Sequence, residues 1–226
     1  IEKPHGGFLD VYSEEPAHGL LTHGLGSHWE TLAIGFKAYP TVSCIHGPLS
    51  ILHALMRENK LAGDDIIEVQ IFCSTFTYKH TVWPYRASGL TEAQMNMYYG
   101  LAAMAVRGEV FVDQFREDQL ASPDILAFTQ RIAVTIDPAI DALGPRCRDA
   151  VRLTLRTQDG RCLTGQKQWR PGSPEEPFTA AEIRTTFKTL ATGRWPEDKT
   201  GSMVRLVDEI EQLPSLAPLT AGLRTG

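Results

Sequence analysis

Three features of the sequence predict an α+β fold. The run IIEVQIFCS over 66–74 is β-branched and reads as a strand. Residues 150–157 alternate, with Val151, Leu153 and Leu155 on one face and Arg152, Thr154 and Arg156 on the other. The chain turns at Gln158-Asp159-Gly160 and returns over 161–169, which makes a hairpin. Segments of helical spacing stand before, between and after these strands. The expected architecture is an α+β segment inserted between parts of a helical body.

Taken in order, residues 1–35 are rich in Gly and His, with short helical stretches expected near 8–12 and 19–23. Pro48 suits the first turn of a helix, and Leu52, Leu55 and Met56 continue it to about residue 60. After the first strand, FTYKHTVWPYRASG over 76–89 is aromatic and turn-rich and reads as a loop. A helix follows over 91–108, opened by a Thr91/Gln94 capping box and apolar nearly all round, hence buried. Short helices are expected over 113–119 and 123–130, and a strand over 131–137. RPGSPEEP marks a boundary. Thr179 and Glu182 form a second capping box, with Ile183, Phe187, Leu190 and Ala191 as a buried stripe. A last helix is expected from about Ser202, carrying Met203, Leu206, Val207, Ile210 and Leu213.

Composition narrows the class. The chain has 226 residues, 42% apolar and 22% charged, enough for a hydrophobic core. A net charge of −5 argues against nucleic acid or an anionic membrane as partner. No apolar run reaches spanning length and no signal segment opens the chain. The four cysteines form no C-x-x-C pair and fit no zinc pattern, so free thiols in a cytoplasmic protein are expected.

The chemistry is sought first in FKAYPTVSCIHGPLS, residues 36–50. Free N–H groups at a helix start attract anions, and Lys37 stands just before that turn. His46 sits at the same entrance, where the helix dipole disfavours the imidazolium. A carboxylate substrate fits this field: a base beside it could remove the neighbouring proton, with the cation stabilising the developing charge. The plainer reading is a capping histidine and a solvated lysine. In the buried helix, Gln94, Asn96, Tyr98 and Tyr99 are polar handles that would face a cavity; the plainer readings are the capping box for Gln94 and core packing with one satisfied hydroxyl for the tyrosines. Arg86 is a further carboxylate clamp by its planar fork. No dinucleotide, phosphate-loop, zinc-protease or serine-hydrolase signature is present.

Four ordered pieces resemble the C-terminal half of the MmgE/PrpD family, which includes 2-methylcitrate dehydratase, cis-aconitate decarboxylase and an iminodisuccinate epimerase. FKAYPTVSCIHGPLS resembles its Lys-x-Tyr-Pro motif, and TEAQMNMYYGLAAMAVRGEV its Ala-Gln helix with a downstream Tyr. TQDGRCLTGQKQWRPGSPEEPFT resembles its Asp-Gly hairpin and Pro/Gly segment, and EIRTTFKTLA the helix after it. The resemblance implies a small α+β lid domain over 35–172. Residues 1–34 and the helices of 173–226 would belong to a large all-α domain mostly absent here.

It also implies a lyase or isomerase acting on a small di- or tricarboxylate, most like a 2-methylcitrate dehydratase, without metal or other cofactor. The N-terminal helical half would be its partner within a homodimer. Lys37, His46 and Tyr99 would be catalytic, and Tyr39, Ser43, Arg86, Gln94 and Asn96 would bind substrate. The decarboxylase branch has a histidine where this chain has Val42, which argues against decarboxylation. Asn96 replaces the usual Ser of the Ala-Gln segment, which leaves dehydratase specificity open. The alternatives are an epimerase and a non-catalytic lid that binds a small acid or a partner chain. The 226-residue chain alone is expected to be inactive.

Overall fold

The structure, a computed structural model, describes residues 7–224, with only the backbone of Asp10. The chain divides into two compact units, residues 1–35 and 36–226. The first holds helix α1 (Phe8–Tyr12) and two 3-10 turns, His18–Leu21 and Glu30–Ala33. It buries little, since Tyr12, Leu20, Leu25 and Leu32 are exposed.

The second unit is the mixed α/β body. It opens with a 3-10 turn, Ser43–Ile45, that runs straight into α2 (His46–Asn59). His46 is thus the first residue of the helix rather than the residue before it. The helix ends where Lys60 turns left-handed at φ 52° and returns its N–H to Arg57 and Met56. β1 (Ile66–Cys73) follows, then α3 (Thr75–Thr81). A loop is expected there, and α3 is a correction. The Ser74 hydroxyl caps the helix by accepting from Thr77 N at 3.1 Å and donates to the Arg148 carbonyl at 2.6 Å, while Thr77 and Thr81 are buried.

The next helix is also corrected. It is broken at Asn96 into α4 (Leu90–Met95) and α5 (Met97–Arg107). The Thr91/Gln94 capping box does not form, because Gly89 is the N-cap and Gln94 bonds elsewhere. Asn96 is the true cap: its Oδ1 accepts from Tyr99 N at 3.0 Å and its Nδ2 donates to Trp83 O at 2.8 Å. The helix expected over 113–119 splits into a 3-10 turn, Val112–Phe115, and α6 (Glu117–Leu120). Then come α7 (Pro123–Thr129), β2 (Ile132–Ile136), α8 (Pro138–Asp141), β3 (Val151–Thr157) and β4 (Cys162–Lys167).

The sheet order is β2-β1-β3-β4. β1 pairs with β2 in parallel, Ile71 opposite Val134, so α3 to α7 form the crossover that a parallel pair requires. β1–β3 and β3–β4 are antiparallel, with Ile71 opposite Leu153 and Leu155 opposite Leu163. Val69, Ile71, Leu153 and Leu155 are buried in one core with Leu49 and Leu52 of α2 and Leu101 and Met104 of α5. The other face is polar: Arg156 pairs with Glu68 at 2.8 Å, and Arg152 pairs with Asp137 at 2.9 Å and lies over the Phe72 ring. Helix α2 lies so close to β4 that a Cβ on Gly165 would meet Ile51 Cγ2 at 2.5 Å.

Beyond the sheet are α9 (Ala180–Ala191), α10 (Glu197–Asp208) and α11 (Ala217–Leu223). The Thr179/Glu182 capping box is present. The stripe expected to be buried on α9 is a correction: only Ala191 is buried, while Ile183 and Leu190 are 37% and 46% exposed. Ile183 and Phe187 of this stripe line a groove with Met203 and Val207 of α10. α10 starts five residues before Ser202, because Pro196 caps it and Glu197 and Asp198 favour its N-terminal dipole. Its apolar residues begin only in the second turn. Among the described residues, no helix is long and apolar enough to cross a membrane.

Two outcomes check this packing. Gly165→Ala is expected to destabilise the chain by about 1–3 kcal/mol in urea unfolding. Part of that loss should return in the Gly165→Ala/Ile51→Ala double variant. Asn96→Ala should cost about 1–3 kcal/mol, through the lost cap and an unpaired Trp83 carbonyl; an unchanged midpoint would remove Asn96 as the hinge between α4 and α5.

Candidate functional site

The residues after Phe36 cross the surface before α2 begins. Proline fixes φ and carries no N–H, so Pro40 shapes the turn without asking for an acceptor. The loop is pinned at both ends. Phe36 N donates to Gly172 O at 2.7 Å, and Val42 N donates to Gln94 O at 2.9 Å. Gly172 has φ 80°, and a Cβ there would run into the Phe36 carbonyl and the Phe178 ring, so glycine is required.

This loop and α4 enclose an open cavity of about 310 Å³, lined by Lys37, Pro40, Thr41, Val42, Thr91, Gln94 and Met95. The Lys37 ammonium donates to the Thr41 carbonyl at 2.9 Å. The Gln94 amide donates to the Pro40 carbonyl at 2.9 Å. The cavity therefore carries one exposed cation and one amide on a braced main chain. Its Val42 wall is apolar.

His46 lies inside. It is fully buried, and neither ring nitrogen has a hydrogen-bond partner among the described residues. The Tyr39 ring meets it edge-on, with centroids 5.4 Å apart at 89°. Burial lowers the His46 pKa from 6.5 to about 4. Arg170 and Lys37 push the same way, and the backbone at Thr41 and Tyr39 opposes them. The ring is neutral at pH 7. Burial raises the Tyr39 hydroxyl to about 12, so it is protonated at pH 7.

Of the residues named from the sequence, the structure brings Lys37 and Gln94 to one cavity and sets Tyr39 edge-on to His46. It does not bring in the rest. Ser43 opens the 3-10 turn ahead of α2, outside the cavity lining. Asn96 is fully buried, with both polar atoms spent on Trp83 and Tyr99. Tyr99 is fully buried too. Its hydroxyl donates to Gln114 O, its ring packs on Tyr85 and Phe115, and burial raises its pKa to about 12. Arg86 is exposed on the loop before α4, its main-chain N–H donating to Glu92.

One residue was not anticipated. Arg170 donates to the Phe36 carbonyl at 3.4 Å and has its Nε 3.7 Å from Asp149 Oδ2. That contact spans 134 positions, so no local pattern announces it. Among the described residues, no group of three His, Cys, Asp or Glu side chains is placed to hold a metal ion.

Fold and site together define a small mixed α/β domain with a cationic surface cavity backed by a buried neutral histidine. Residues 39–212 match the MmgE/PrpD C-terminal domain, and the chain belongs to that family. Lys37 lies just before the matched span. The chain is similar to a cis-aconitate decarboxylase-like protein, oryM, of Aspergillus oryzae, with 25% identity over 98% of this chain and 48% of that protein. It is also similar to cis-aconitate decarboxylase of Homo sapiens, with 20% identity over 99% of this chain and 46% of that protein. The chain thus spans about half the length of the curated relatives it matches.

The buried imidazole predicts a pH dependence. Its folded pKa lies below the unfolded value, so as pH falls the unfolded chain takes up the proton first. Its contribution is fully present above pH 6.5 and is lost as pH falls toward about 4. The loss approaches roughly 3 kcal/mol. Urea unfolding across this range should show a steeper acid loss for the native chain than for His46→Leu; parallel profiles would mean that His46 is not held neutral by the fold.

Proposed function

We propose that, within its complete protein, this chain supplies the cationic side of a site for a small di- or tricarboxylate. The reaction proposed is that of a hydro-lyase resembling 2-methylcitrate dehydratase. The observation that carries this reading is the Lys37 ammonium at the edge of a cavity whose main chain is braced by Gln94. A carboxylate placed there meets a cation that strengthens its hold as negative charge builds next to it during proton removal.

His46 supports the reading in a modified role. A group with a pKa of about 4 is a weak base at pH 7, so it is poorly matched to removing a proton from carbon. In this proposal it acts as a neutral partner behind Tyr39 and Thr41, and the base comes from the other half of the protein. Tyr39 is a donor. Ser43, Asn96 and Tyr99 act through packing in this proposal and Arg86 takes no part, since none of them lines the cavity. The complete protein is proposed to be a cytoplasmic homodimer that needs no cofactor. All four cysteines are free thiols, the usual state in a reducing compartment.

A second reading, decarboxylation of cis-aconitate, is favoured by the names of both relatives. Against it stands Val42, an apolar residue on the cavity wall with no proton to offer the carbanion that CO2 loss leaves. Assaying the complete protein on 2-methylcitrate, citrate, cis-aconitate and iminodisuccinate separates the two. Water loss from 2-methylcitrate supports the first, and CO2 release from cis-aconitate the second. Binding of these acids without turnover would point to a non-catalytic module, and epimerisation of iminodisuccinate to an isomerase.

Lys37→Ala in the complete protein should lower kcat/KM at least about tenfold, a loss of about 1.4 kcal/mol. An unchanged value takes Lys37 out of the site.

A further inference from the structure

We propose that Gln94 is a positioning residue for Lys37, acting through the main chain of the 37–42 loop rather than by touching substrate. The inference rests on the carboxylate-site reading above. Successive carbonyls of the loop have different partners. Pro40 O accepts from Gln94 Nε2 at 2.9 Å, and Thr41 O accepts from Lys37 Nζ at 2.9 Å. The next main-chain group, Val42 N, donates to Gln94 O at 2.9 Å. One residue thus holds two points of the loop on either side of the carbonyl that orients the ammonium.

The far end is already anchored, by Phe36 N to Gly172 O and Arg170 to Phe36 O. Pro40 cannot add a main-chain donor of its own. Without the Gln94 side chain, the Pro40 carbonyl loses its partner, and the 40–41 peptide keeps only a bond within the loop, Thr41 N donating to Tyr39 O at 2.8 Å. The Thr41 carbonyl that orients the Lys37 ammonium is then braced from α4 on one side, through Val42 N, instead of on both, and the ammonium is held less firmly. The Gln94 main-chain bond survives any substitution, so the side chain alone is tested.

Glutamine suits this task because it is long enough to reach Pro40 and carries a neutral donor. A glutamate at the same place would turn an acceptor toward the carbonyl and a negative charge toward Lys37. The platform is firm: the N-terminus of α4 is tied by Glu92, which accepts from Arg86 N at 3.1 Å and from Ser88 N at 2.7 Å.

The test is a double-mutant cycle on the complete protein, read by calorimetric binding of tricarballylate, a tricarboxylate with no hydroxyl to eliminate. Gln94→Met keeps the volume and removes the donor. Lys37→Ala and Gln94→Met should each weaken binding by about tenfold, the scale of a hydrogen bond to a charged group. The double variant should bind no more weakly than Lys37→Ala alone, because Gln94 acts only through Lys37.

Unweakened binding by Gln94→Met overturns the proposal, and so does a double variant whose losses multiply, which would make Gln94 a ligand in its own right. Failure of the unsubstituted protein to bind tricarballylate, or binding indifferent to Lys37→Ala, removes the carboxylate-site reading and this inference with it. If Gln94→Met does not fold, Gln94→Asn keeps the amide, falls short of Pro40 and is held to the same outcomes.

Discussion

The depth at which α2 is buried governs the rest of the structure. This helix packs on β3 and β4 on one side and on α5 on the other. The bare Cα of Gly165 makes the first approach possible, because a methyl group there would overlap Ile51. Gly100 eases the second, where an added Cβ would stand 3.3 Å from Ile45. Ile45, Leu49 and Leu52 are then fully excluded from water, and each such side chain contributes on the order of 2 kcal/mol by burial.

A helix buried from its first turn decides what that turn can carry. His46 goes into the core with Ile45 and Leu49, where a charged imidazolium is strongly disfavoured. The cation that remains available is Lys37, outside on the approach loop. The two groups that looked like one cluster in sequence are therefore split by dielectric, with a solvated charge in front and a neutral ring behind. The loop over 37–42 has no regular secondary structure of its own. It depends on two distant segments, 170–172 and α4, for its hydrogen bonds.

Much of the fold was legible because the patterns are local. The alternation of Val151, Leu153 and Leu155 against Arg152, Thr154 and Arg156 predicts both the hairpin and the face that enters the core, and the structure agrees. The Thr179/Glu182 box needs only a four-residue window. Helix α3 escaped because its aromatic and polar residues look like a loop until Ser74 is seen capping Thr77 and bonding to Arg148, 74 positions away. Thr91/Gln94 fits a cap on paper, but Gln94 finds a better use of its amide on Pro40, in another segment.

The sequence by itself determined the α+β class, the four strands, most of the helices and the family, since periodicity, turn chemistry and ordered motifs are properties of neighbours along the chain. It also marked Lys37, His46 and Gln94 as residues to watch. Only the tertiary structure decided what they do. It buried His46 with neither ring nitrogen hydrogen-bonded among the described residues, turned Asn96 and Tyr99 inward as cap and core, left Arg86 outside and brought Arg170 against Phe36. Burial and long-range hydrogen bonds depend on which surfaces meet, and no local pattern encodes that meeting.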